Sequence, residues 1–139
     1  MSTPIYNQEL VNIEQNSVKE YNNLVGMVNE TPGKQLYQHQ VECLITRDVD
    51  RLIDGNYQDN AILITSSSTA KGKPALKEHF KTDLDHVNII QVQSADAFVE
   101  SGYTTLFEAT IETDAGTAKV YDAFVLHNGK VAYHFTGVK

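Results

Sequence analysis

The sequence contains only one cysteine, Cys43, so it cannot form a disulfide bond within the chain. A single free thiol is typical of proteins in reducing compartments. Residues 1–7 have neither the basic segment nor the apolar core of a secretory signal peptide. We therefore expect a cytoplasmic protein.

Basic residues and long hydrophobic runs are also scarce. Eleven Lys and Arg residues stand against eighteen Asp and Glu residues, for a net charge of −7, and the basic residues are scattered. Nucleic acid binding needs clustered positive charge, so we expect no nucleic acid partner. No apolar run approaches the roughly 20 residues that span a bilayer, so we expect no membrane partner either.

The sequence offers no complete set of metal or cofactor ligands. His39 and Cys43 are four residues apart on a predicted helix, but no third ligand lies near them in the sequence. Residues 66–73 are only superficially similar to a phosphate-binding loop, because Ser67 and Pro74 stand where that loop needs Gly and Ser or Thr. We expect neither a metal nor a cofactor.

The 139 residues, 41% of them hydrophobic, fit one globular domain spanning residues 1–139. The pair Pro32-Gly33 predicts a break between the first two helices. The apolar side of the first helix needs burial, so we expect it to pack across the sheet or a partner subunit. Helical spacing predicts helices at residues 7–28, about 34–47, from 48 into 57–60, and 73 to about 84.

The stretch from residue 48 to residue 80 organises the chain. Asp48 is the predicted cap of a helix, and residues 61–65 predict a short apolar strand. A polar loop at residues 66–71 follows. Pro74 then marks the first turn of another helix, where its missing N–H costs nothing.

From Val87 onward apolar residues alternate, which predicts β-strands. Asn128-Gly129 predicts a two-residue hairpin, and we interpret residues 100–102 as a bulge inside one long strand. Helices followed by strands predict an α+β fold, with helices on one face of a curved, mostly antiparallel sheet. The predicted strands are residues 87–93, 97–112, 117–127 and 130–138.

The last hairpin is predicted to place one carboxylate on an apolar sheet face. Counting outward from Asn128-Gly129 pairs Ala123 with His134, which puts Asp122 on the inner face and His134 on the opposite face. The inner face is otherwise apolar. A buried carboxylate needs hydrogen bonds or a raised pKa, which is how catalytic acids and ligand-orienting groups arise.

The alternative is a structural aspartate that is satisfied by Tyr133, Tyr103 or backbone N–H groups, with no ligand involved. A one-residue change in the preceding turn would bring Glu108 opposite Asp122 instead. That register would turn Phe107 and Tyr103 away from the apolar face.

From about residue 34 onward the chain resembles the nuclear transport factor 2-like (NTF2-like) superfamily, and within it the SnoaL-like domains. The resemblance rests on residues 48–63, on Gly-Lys-Pro-Ala-Leu at 72–76 with the helix that follows to residue 80, and on residues 122–131. It implies a cone-shaped α+β roll of the ketosteroid isomerase and cystatin type. It also implies a pocket between the helices and the concave sheet, commonly in a homodimer.

Superfamily members include ketosteroid isomerases, polyketide cyclases, dehydratases, epoxide hydrolases and non-catalytic association domains. In the isomerases, a carboxylic acid at the position matching Asp122 donates a hydrogen bond to the substrate. Their general-base aspartate matches Thr65, and their helix tyrosine falls near Gln40, with Tyr37 one turn away. Two of the three isomerase groups are therefore missing, and the resemblance does not imply steroid isomerase chemistry.

We interpret the chain as a small-molecule binding domain whose apolar pocket takes an apolar ligand and is anchored by Asp122. If it is an enzyme, we expect a cofactor-independent isomerase, cyclase or dehydratase in which Asp122 gives or takes a proton. The alternative is a non-catalytic dimerisation module with a vestigial pocket, which the missing base at Thr65 favours. Asp122 is the expected catalytic residue, and the residues expected to line the pocket are Tyr37, Tyr57, Thr65, Tyr103, Phe107, Phe124 and Tyr133.

Overall fold

The computed structural model describes residues 31–139, and the predicted helix at residues 7–28 lies outside this range. Within the described range, no helix has the length and apolar character needed to cross a membrane. The elements in chain order are α1 (Pro32–Thr46), α2 (Val49–Asn56), β1 (Tyr57–Ile64), β2 (Thr69–Lys71), α3 (Lys73–His86), β3 (Ile89–Ser101), β4 (Thr104–Thr113), β5 (Gly116–His127) and β6 (Lys130–Val138).

These strands form one curved sheet in the order β2-β1-β6-β5-β4-β3. All neighbouring strands are antiparallel except β1 and β6, which are parallel. Helix α1 packs on the concave face, where the ring of Tyr37 stacks on Phe107 of β4 with 3.7 Å between ring centroids. The predicted α+β arrangement with a mostly antiparallel sheet is confirmed.

Helices α1 and α2 begin at side chains that accept hydrogen bonds from free backbone N–H groups. Thr31 accepts one from Lys34 N at 3.2 Å, and Asp48 accepts one from Arg51 N at 3.1 Å. Pro32 lies in the first turn of α1. Helix α1 therefore begins at Pro32, two residues before the predicted start at about residue 34, because proline fits a first turn that needs no N–H donor.

The chain becomes extended earlier after α2 than predicted. Helix α2 ends at Asn56 and Tyr57 begins β1, so the predicted continuation of the helix into residues 57–60 was wrong. Tyr57 pairs with Val131 of β6, and this long-range pairing outweighs the local helical pattern. Thr69–Lys71, predicted as loop, forms a short strand along β1.

The single strand predicted at residues 97–112 is a hairpin. Strand β3 ends and β4 begins on either side of a turn in which Gly102 has a φ of 60°. Glycine adopts this left-handed conformation without a steric penalty, so the chain reverses there. The bulges lie further back, because the register between β3 and β4 shifts at three points along β3.

The start of α1 lies so close to the sheet that only glycine fits at the contact. A Cβ atom on Gly33 would lie 2.4 Å from Thr105 Oγ1 and 2.6 Å from Glu100 Oε2. Glu100 Oε2 also accepts a hydrogen bond from Gly33 N at 3.1 Å. This contact holds the N-terminus of α1 against the hairpin of β3 and β4 and so positions the helix over the sheet.

Candidate functional site

A one-residue bulge in β6 decides which side chains face the inside of the sheet. His127 pairs with Lys130 as predicted, but the register then shifts between Val131 and Tyr133. Ala132 is the extra residue. Because side chains alternate along a strand, every residue of β6 beyond Ala132 lies on the face opposite to the one predicted.

His134 therefore lies on the same face as Asp122, and the prediction that it lies on the opposite face was wrong. Its Nε2 lies 2.7 Å from Asp122 Oδ1. The imidazole is 1% exposed, whereas the Asp122 side chain is 17% exposed. Phe124 stacks on the imidazole with 4.3 Å between ring centroids, and Phe80 of α3 stacks on it at 6.3 Å.

The other imidazole nitrogen, Nδ1, bonds to the Tyr57 hydroxyl at 2.8 Å. The same hydroxyl accepts a hydrogen bond from Gln40 Nε2 at 2.8 Å. Burial is the main cause that raises the pKa of Tyr57 far above its ordinary value, so the phenol keeps its proton. The hydroxyl thus joins Gln40 to His134, and His134 joins it to Asp122.

The hydrogen bonds continue from Gln40 toward the outside of the helices. Asn56 Nδ2 donates to Gln40 Oε1 at 3.2 Å, and Asn56 Oδ1 lies 2.8 Å from His39 Nδ1. Five secondary-structure elements contribute to this network. We call it the polar chain, and from outside to inside its members are His39, Asn56, Gln40, Tyr57, His134 and Asp122.

The inner end of the polar chain opens into a cavity of about 920 Å³ between α1, α3 and the concave sheet. Its volume is within the range of small-molecule binding sites. The rim is polar and includes Ser66, Ser67, Ser68, His79 and Asp83. The walls are largely apolar, and their apolar residues include Val41, Leu44, Phe80, Leu84, Val92, Ile111 and Val120.

The structure brings six of the eight predicted site residues to the cavity or directly behind it. The residues that line the cavity are Tyr37, Thr65 and Asp122. The residues that are fully buried behind its surface are Tyr57, Phe107 and Phe124. Phe107 pairs with Asp122 across β4 and β5, which is the register that the sequence predicted.

Tyr103 and Tyr133 lie outside the cavity, which corrects the prediction that they line it. Tyr103 lies in the turn between β3 and β4 and is 77% exposed. Tyr133 is 43% exposed on the outer face of the sheet, because the bulge at Ala132 moves it there. Neither tyrosine can therefore satisfy Asp122, and His134 does so instead.

Thr65 stabilises the loop at the rim of the cavity. Its Oγ1 accepts hydrogen bonds from Ser67 N at 3.2 Å and Ser68 N at 2.9 Å. These contacts hold the Thr65 hydroxyl within the loop. His79 also lines the cavity and pairs with Asp83 at 3.0 Å.

Cys43 is a buried side chain and not a nucleophile. Burial raises the pKa of its thiol to about 11, so the thiol is protonated near neutral pH. Its Sγ lies 3.7 Å from His39 Nε2. Within residues 31–139, no group of three or more His, Cys, Asp or Glu side chains is placed to hold a metal ion.

The polar chain contains residues that sequence reasoning missed. His134 was assigned to the wrong face, and Asn56 carries no pattern that distinguishes it from a residue at a helix end. Gln40 was noticed only as the position where related isomerases have a tyrosine. A buried polar residue on the inner side of α1 was the available signal, since such a group needs a hydrogen-bond partner.

No family model and no curated protein matches the sequence. Solved structures do match its fold. An NTF2-like protein from Anabaena variabilis is 16% identical, with 86% of this chain and 92% of that chain covered and a TM-score of 0.69. A Sinorhizobium meliloti protein described as a candidate polyketide cyclase is 11% identical, with 74% of this chain and 94% of that chain covered and a TM-score of 0.65. TerC, which was co-crystallised with polyporic acid, is 16% identical, with 78% of this chain and 92% of that chain covered and a TM-score of 0.63. The chain therefore has the NTF2-like fold.

Proposed function

We propose that this protein binds an apolar small molecule and that Asp122 accepts a proton or a hydrogen bond from it. The observation that carries the proposal is the position of Asp122, which joins the buried polar chain to a largely apolar cavity. A carboxylate at such a boundary costs free energy unless its remaining acceptor capacity is used. A ligand that brings a donor to Asp122 would use it.

Hydrogen-bond direction supports an accepting role for Asp122. The resemblance to isomerases implied a protonated acid that donates to a substrate oxygen. His134 Nε2 lies 2.7 Å from Asp122 Oδ1, and if Nδ1 accepts from Tyr57, the Nε2 proton is donated to that oxygen. The other Asp122 oxygen is left for the ligand, and we propose that it meets a hydroxyl, an enol or an acidic C–H.

A single carboxylate is sufficient for an internal proton transfer. Asp122 would take a proton from a carbon next to a carbonyl group and return it to another atom of the same ligand. The electron pair of the broken C–H bond stays in the ligand as an enolate, and no cofactor is consumed. Isomerases, cyclases and dehydratases that work without a cofactor use this type of step, and the candidate polyketide cyclase of the same fold is consistent with it.

The test is a thermal-shift and titration screen of apolar cyclic ketones, lactones and phenols against the wild type and Asp122→Asn. The asparagine oxygen can still accept from His134, so the variant is expected to fold. Losing a charged acceptor costs about 1.5–3 kcal/mol, so we expect roughly 10- to 100-fold weaker binding. Asp59→Asn is the matched control, because that side chain is 98% exposed. Equal binding by the wild type and Asp122→Asn would refute the proposal.

A second candidate function is self-association through the outer face of the sheet. Within residues 31–139, Val99, Tyr133 and Phe135 expose 56%, 43% and 39% of their surface. Phe135 pairs with Ala123, and Val99 pairs with Leu106, so these residues share one face across neighbouring strands. A contiguous apolar patch supports a homodimer. Sedimentation of the wild type measures whether it is a monomer or a dimer. A monomer at high micromolar concentration would exclude self-association.

A further inference from the structure

We propose that Gln40 is a positioning residue: it sets the direction of the hydrogen bonds in the polar chain and so keeps Asp122 a proton acceptor. The consequence for the ligand rests on the function proposed above, but the direction of the bonds does not. Gln40 is 2% exposed and lines the cavity, but its amide carries no charge. Its effect on Asp122 passes through Tyr57 and His134.

The amide of Gln40 is held in one orientation from outside. Asn56 Nδ2 donates to Gln40 Oε1 at 3.2 Å, so this oxygen faces Asn56. The Asn56 amide is oriented in turn by His39, whose Nδ1 lies 2.8 Å from Asn56 Oδ1 and donates to it. The Gln40 Nε2–H group is therefore directed to Tyr57, at 2.8 Å.

This orientation determines where the next two protons lie. The Tyr57 oxygen accepts from Gln40, so its own proton is directed to the second neighbour, His134 Nδ1, at 2.8 Å. An imidazole that accepts at Nδ1 and stays neutral carries its only proton on Nε2. That proton lies toward Asp122 Oδ1, at 2.7 Å.

The opposite direction would require different charges in the same space. If Gln40 turned its oxygen to Tyr57, the phenol would donate to Gln40 and accept from His134 Nδ1–H. His134 would then be either an imidazolium paired with the Asp122 carboxylate between Phe80 and Phe124 or a neutral ring that needs a protonated Asp122. The proposed direction needs neither and leaves Asp122 able to accept from a ligand.

The direction of the hydrogen bonds in the polar chain can be tested in the wild-type protein without any ligand. Two-bond nitrogen–proton NMR correlations report which imidazole nitrogen carries a proton, and the His134 signals are identified by their loss in His134→Gln. We expect the proton of His134 on Nε2, with Nδ1 accepting from Tyr57. A proton on Nδ1, in either a neutral or a doubly protonated ring, would overturn the inference.

Gln40→Glu tests whether Gln40 causes this arrangement. An introduced carboxylate accepts from both Asn56 and Tyr57, so Tyr57 can no longer donate to His134. The carbon-13 signal of the introduced carboxyl group reports whether that group is ionised. At a pH where it is ionised, we expect His134 to carry a proton on Nδ1. Gln35→Glu, on the exposed side of the same helix, is the matched control and should leave the His134 signals unchanged. An unchanged His134 in Gln40→Glu would refute the role of Gln40.

The two proposals can fail separately. If His134 has the expected proton but Asp122→Asn binds every ligand as well as the wild type, the proposed function fails and the role of Gln40 stands. If Asp122→Asn loses binding while His134 carries its proton on Nδ1, the function stands and the role of Gln40 fails. A purely structural role of Gln40 would lower stability in the Gln40→Glu variant without moving the His134 proton.

Discussion

Tyr57→Phe isolates the contribution of the polar chain to stability. The substitution removes one oxygen atom and leaves the ring in place. Tyr57 is fully buried, and its hydroxyl bonds to Gln40 Nε2 and His134 Nδ1, each at 2.8 Å. Without the hydroxyl, a buried donor and a buried acceptor both lose their partner, and neither side chain has access to solvent.

The expected loss follows from these two unpaired groups. Leaving one buried polar group unsatisfied costs about 1–3 kcal/mol. Phenylalanine is the more apolar residue and recovers part of this loss in the core. We therefore expect the free energy of unfolding to fall by about 2–4 kcal/mol, which corresponds to roughly 10 °C in Tm for a chain of this length.

Urea unfolding followed by circular dichroism measures this difference at fixed pH. Tyr103→Phe is the matched control, because it makes the same chemical change at a side chain that is 77% exposed. A surface change of this kind is expected to stay within about 0.5 kcal/mol. A loss in Tyr57→Phe no larger than that in Tyr103→Phe would refute the claim that the Tyr57 hydroxyl is buried and bonded to both Gln40 and His134.

Two further predictions concern the thiol and the start of α1. Burial raises the pKa of Cys43 from 9.0 to about 11, so between these values the unfolded chain releases a thiol proton that the folded chain keeps. The free energy of unfolding should therefore fall between pH 9 and pH 11, and it should fall less steeply in Cys43→Ala. Urea unfolding at several pH values measures this, and an equal fall in both proteins would contradict the prediction. Gly33→Ala places a Cβ 2.4 Å from Thr105 Oγ1 and should cost about 1–3 kcal/mol. Adding Thr105→Ala to the Gly33→Ala variant should restore part of the lost stability. An unchanged urea-unfolding midpoint in Gly33→Ala alone would show that α1 moves freely.

Features with a short-range cause were predicted well from the sequence. Asp48 caps α2, Pro74 lies in the first turn of α3, and Asn128-Gly129 forms the hairpin with both φ angles positive. Each depends on residues a few positions apart. The pairing of Phe107 with Asp122 was also predicted, because alternation of polar and apolar side chains requires it.

Features that depend on distant residues were not predicted. Tyr57 was assigned to a helix end because its helical neighbours are local, whereas its strand partner Val131 is far along the chain. The bulge at Ala132 has no local signal, since alanine fits either face of a strand. That one extra residue exchanged the places of Tyr133 and His134 and so changed the partner of Asp122.

The sequence alone determined that this protein is an α+β domain with one carboxylate, Asp122, on the inner face of its last strands. Periodicity and turn residues are properties of neighbouring positions, and they are sufficient for that. Only the tertiary structure decided what surrounds Asp122. His134, Tyr57 and Gln40 come from β6, β1 and α1, and they meet because these elements pack together and each buried polar side chain needs hydrogen-bond partners.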